Sequence, residues 1–72
     1  METYLEKLLS QIRCKKARPY IAEEIRDHIE CQIADNLSEG MSYEEAEKNA
    51  VTDMGDPVEV GISLDRIHKP KI

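Results

Sequence analysis

Within 22 residues, the segment from Gly40 to Gly61, GMSYEEAEKNAVTDMGDPVEVG, carries the chemistry to stop one helix, start a second, stop it and start a third. Gly40 and Gly55 can adopt the left-handed conformation that closes a helix, because neither has a Cβ to clash. Ser42 and Asp56 follow them as N-caps, with Glu45 and Glu59 three positions on in the capping-box spacing. Pro57 stands at a first helical position, where a missing N–H costs nothing. Punctuation this dense leaves room for little except short helices joined by tight turns.

The rest of the chain reads in the same way. Thr3 with Glu6 gives a further capping box, after which Tyr4, Leu5, Leu8, Leu9 and Ile12 recur on one face, predicting a first helix over 4–15. Pro19 suits the first position of a second helix over 19–38. That helix carries Ile21, Ile25, Ile29, Ile33 and Leu37 in a slanted stripe suited to several neighbours in turn. A third over 43–54 offers Ala46, Ala50, Val51 and Met54, and a fourth over 57–67 offers Val60, Leu64 and Ile67. Gly61 lowers the propensity of that last helix by about 1 kcal/mol relative to Ala, which predicts close packing against another backbone. The expected fold is all-α, a compact bundle of about four short helices forming one domain over 1–68, with a basic tail at 69–72.

Seventy-two residues without Phe or Trp can fill a small aliphatic core but cannot enclose a large ligand cavity. The net charge of −5 is unevenly spread: −1 over 1–12, +4 over 13–18, −8 over 19–54 and 0 over 55–72. An acidic middle repels phosphate backbones, so no nucleic-acid partner is expected. Cys14 and Cys31 fit no paired-cysteine pattern and follow no secretory signal, so the expected setting is reducing and cytoplasmic. No stretch approaches the ~20 apolar residues of a membrane span.

Among reactive residues His28 stands out, with Glu24 four positions before it and Cys31 three after. These spacings match no closed zinc pattern, and the expectation is a half-buried structural histidine rather than a metal ligand. No serine lies in a nucleophile elbow and neither histidine has an evident catalytic partner, so no catalysis, metal or cofactor is expected. The cluster RCKKAR, with Arg13, Lys15, Lys16 and Arg18, reads either as a solvated turn or as a patch for anionic lipid or an acidic partner. Arg66, Lys69 and Lys71 form a basic ending of the kind that holds a chain on the cytoplasmic side of a following membrane span.

Taken in order, YLEKLLSQI, EEIRDHIECQI, GMSYEEAEKNAV and MGDPVEVG resemble the small helical prefix domains at the cytoplasmic N-termini of bacterial polytopic membrane proteins, which are related to the HAAS signalling domains. The segments from Glu24 to His28 and from Met54 to Pro57 carry the match. The ending GISLDRIHKP is similar to the version that precedes FtsW/RodA/SpoVE-type cell-cycle proteins of some Firmicutes. The resemblance implies a non-catalytic regulatory or protein-interaction domain on the cytoplasmic face of the bacterial membrane. Division, shape and peptidoglycan work would then belong to the membrane portion. It also permits a free-standing HAAS-type adaptor, homodimeric through the second helix, that acts on a transcription regulator or a permease. In either case the expected contact residues are Glu24 and Asp27 with the basic residues of the turn and tail.

Overall fold

Four helices form among the described residues, and four of their boundaries carry the chemistry expected of them. The computed structural model describes residues 1–68, so the predicted tail with Lys69 and Lys71 lies outside the described residues. The chain is an all-α bundle of α1 (Glu2–Leu9), α2 (Arg18–Ser38), α3 (Tyr43–Met54) and α4 (Pro57–Ile67).

At the end of α2, Gly40 takes φ +97°. The Gly40 amide donates to the Leu37 carbonyl and the Met41 amide reaches back to that of Asn36, the paired bonds of a Schellman closure. Ser42 then accepts a hydrogen bond from the Glu45 amide at 3.3 Å and opens α3. Gly55, at φ +94°, ends α3. The Asp56 carboxylate caps α4 by accepting from the amides of Val58 (2.8 Å) and Glu59 (3.4 Å), with Pro57 as the first helical residue. Glu45 and Glu59 thus contribute to these caps through their backbone amides.

The first helix departs from expectation at both ends. Thr3 does not cap it: α1 starts at Glu2 behind Met1, with no side-chain cap, and Thr3 and Glu6 are exposed residues within it. Tertiary contacts decide the start, because Met1 packs against the core and its amino group lies 3.8 Å from Glu47. At the other end α1 stops at Leu9 rather than continuing to residue 15. The Ser10 hydroxyl donates to the Lys7 carbonyl, and the amides of Gln11 and Ile12 turn to carbonyls three residues back, which tightens and closes the helix. Ile12 continues the apolar period beyond that end and is fully buried. In α2, Pro19 is the second helical residue, and its absent amide is one that helical bonding does not use.

The helix directions follow from a few contacts. Arg26 of α2 reaches Glu2 at 3.3 Å, and Arg18 donates to the Ile12 carbonyl at 2.9 Å, so α1 and α2 run antiparallel. Asn36 donates to the Ala46 carbonyl at 3.0 Å as α3 returns along the C-terminal half of α2. Gly61 meets the Leu8 carbonyl and Asp65 meets Arg13, so α4 runs parallel to α1. α2 packs most extensively on α3, while α4 leans chiefly on α1. The result is drawn out along α2, 49 × 17 × 16 Å. The Gly40 turn marks one end, and the 13–17 loop with the last turn of α4 marks the other.

One core runs through the body, from Tyr4, Leu5, Leu8 and Ile12 across the four isoleucines of α2 to Ala46 and Ala50. The slanted stripe fails at its last member, for Leu37 is 41% exposed. Asn36 takes the inward place, and its amide also accepts from Gln32 at 3.1 Å. Ile67, at 73% exposed, likewise lies off the packed side of α4, which turns Gly61 and Asp65 inward.

Gly61 lets α4 come close against α1. A Cβ added there would lie 2.5 Å from the Leu8 carbonyl oxygen and 2.8 Å from Gln11 Cβ. Gly61→Ala is therefore expected to destabilise the fold by ~1–3 kcal/mol in urea unfolding, overpacking outweighing the propensity gain. A more stable variant would contradict the close approach.

Candidate interaction surface

The chemistry of the loop after α1 is set by Asp65. Its carboxylate accepts from the Arg13 amide through Oδ1 at 2.8 Å and from Arg13 Nε through Oδ2 at 2.7 Å. A single buried carboxylate thus grips both the backbone and the guanidinium of one residue, 52 positions away in the chain. The carboxyl is held below its ordinary 3.8, first by the Arg13 amide and then by the guanidinium, against the opposing effect of burial. At the other end of the same helix pair, the Tyr4 phenol is pushed above 10.0, first by burial and then by the Asp56 charge. Its hydroxyl has no hydrogen-bond partner among the described residues.

This arrangement divides the RCKKAR cluster. Arg13 is committed to Asp65, and Arg18 spends its Nε on the Ile12 carbonyl, so both arginines shape the loop. Lys15 and Lys16 remain exposed at its tip, and Arg66 is exposed on the adjacent last turn of α4. Tyr20, in the first turn of α2, is 75% exposed. The end of the body opposite the Gly40 turn therefore presents cations together with uncovered apolar side chains.

The remaining sequence candidates are scattered. Glu24 and Asp27 lie exposed on the outer side of α2. His28 is exposed too, which corrects the expected half-buried histidine: with Ile25 and Ile29 turned inward, position 28 falls on the solvent side. Cys31 is exposed, Cys14 half-buried, and the two are free. Among the described residues no three His, Cys, Asp or Glu side chains converge as a metal site would require. A shallow depression is lined by Glu6, Leu9, Ser10 and Arg18. No helix of the described residues is long and apolar enough to cross a membrane.

Asp65 and Asn36 are the important residues that local sequence patterns did not single out. Each is a polar residue on the inward side of a helix, Asp65 one turn after Gly61 and Asn36 three after Ile33. That phase was the available signal. Comparisons with family models, curated proteins and solved structures found no match to this chain.

Because the folded Asp65 carboxyl titrates below its unfolded counterpart, its stabilisation is complete above the ordinary 3.8 and is lost as pH falls through the folded value. NMR titration is expected to give an Asp65 midpoint below 3.8, and Asp65→Asn should lower stability at neutral pH and flatten the acid limb of the stability profile. A midpoint at or above 3.8 would contradict the grip on Arg13.

Proposed function

We propose that this chain is a non-catalytic regulatory and protein-interaction domain that stands at the cytoplasmic N-terminus of a polytopic membrane protein of the FtsW/RodA/SpoVE type. The observation that carries this reading is the mounting of α4. Gly61 seats it on α1 and Asp65 locks its last turns to the loop, so the helix ends beside Lys15, Lys16 and Arg66. A cationic exit held in a fixed orientation suits a chain that next enters a membrane from the cytoplasmic side. The order of the four resembling segments supports the same reading. The acidic outer side of α2, with Glu24 and Asp27, remains available to a protein partner.

The free-standing adaptor is the second reading, favoured by exposed Leu37 and Tyr43 flanking the Gly40 turn. The exposed side of α2 carries Glu23, Glu24, Asp27, Glu30 and Asp35, so a dimer paired through it works against like-charge repulsion in either direction. The test is to read the coding sequence past the Ile72 codon. The membrane reading expects an open frame with apolar runs of about 20 residues. A stop codon directly after Ile72 would overturn it and leave the adaptor.

A further inference from the structure

We infer that the basic end of the body, built from the 13–20 segment and the last turn of α4, docks on an anionic lipid surface. The inference goes beyond the function proposed above, since it holds whether or not a membrane span follows. Two segments far apart in sequence are brought to one end by the Asp65 grip on Arg13, which neutralises the one carboxylate in the last two turns of α4. Lys15, Lys16 and Arg66 are left exposed there. Tyr20 in the first turn of α2 and Ile67 at the end of α4 are 75% and 73% exposed, and neither side chain serves the core.

Cations with an uncovered aromatic and an uncovered aliphatic side chain fit the headgroup boundary, where charge meets phosphate and apolar groups enter below it. Along the body the charge reverses, with −8 over residues 19–54. An anionic surface therefore attracts one end and repels the other, which favours end-on approach with the Gly40 turn pointing away. Glu6 of α1 and Glu23 and Glu24 of α2 are exposed but set back along their helices from the 13–17 loop, the last two one turn beyond Tyr20. The backbone of the body is 17 × 16 Å across, so a protein partner would have to reach round its sides to bury the roughly 800 Å² of a specific interface. A lipid surface requires no matching contour.

The chain contains no tryptophan, so one introduced residue reports on one place. Tyr20→Trp probes the basic end, and Tyr43→Trp, at a position 58% exposed in the wild type, probes the opposite end. On titration with phosphatidylglycerol-containing vesicles in low salt, the indole emission of the Tyr20→Trp chain is expected to shift to the blue and that of the Tyr43→Trp chain to stay unchanged; pure phosphatidylcholine vesicles should move neither. Adding Lys15→Gln and Lys16→Gln to the Tyr20→Trp chain should weaken binding by about fivefold per charge removed, with the helical circular dichroism unchanged. No shift from the basic-end probe, equal shifts from both probes, or binding indifferent to the two lysines would overturn the proposal. The first of those results would return the cationic end to an acidic protein partner.

Discussion

The Asp65 carboxylate holding Arg13 by amide and guanidinium is the contact on which the layout of this small fold depends. α4 has little packing of its own against α2 or α3 and leans on α1, which is only eight residues long. Two contacts make that seat specific: Gly61 against the Leu8 carbonyl, and one turn later Asp65 against Arg13. Charge-assisted bonds to a buried carboxylate are strong and directional, and the amide that Asp65 takes is one that α1 would otherwise have used to continue. The same bond therefore ends the influence of α1 and fixes the register of α4.

Turn chemistry was legible because it is local. Gly40 with Ser42, and Gly55 with Asp56 and Pro57, need only residues within four positions of one another, and α3 begins and ends, and α4 begins, where those residues predict. The apolar period located Tyr4, Leu5, Leu8 and the isoleucines of α2, because burial follows helical phase. Non-local partners were not legible. Thr3 has the right spacing to cap, yet Met1 is anchored by the core and by Glu47, and the helix starts earlier. Ile12 carries the period past Ser10, but the Arg13 amide answers to a carboxylate 52 residues on, so the predicted helix to residue 15 does not form. Leu37 misses the core because a step of four residues drifts round α2 until Asn36 faces inward instead, and Ile67 misses it because α4 turns the side of Gly61 and Asp65 to α1, two residues of helical phase away from position 67.

The same distinction runs through the interaction surface. Six residues of RCKKAR looked like one patch, and the fold separates them into arginines that build the loop and lysines that remain at its tip. What sequence order could not show is that Arg66, Tyr20 and Ile67 share that end. Their meeting gives the molecule a cationic, partly apolar face on an otherwise acidic body, and links the helix punctuation after Gly40 to a direction in space.

Amide hydrogen exchange at Arg13 tests this account most directly. Arg13 belongs to no helix, so a loose loop would exchange its amide as fast as that of exposed Lys16. The account predicts strong protection at Arg13 beside rapid exchange at Lys16, with the protection lost in Asp65→Ala. Equal, unprotected exchange at both positions in the wild-type chain would show that α4 is not locked to the loop, and the oriented basic end would fall with it.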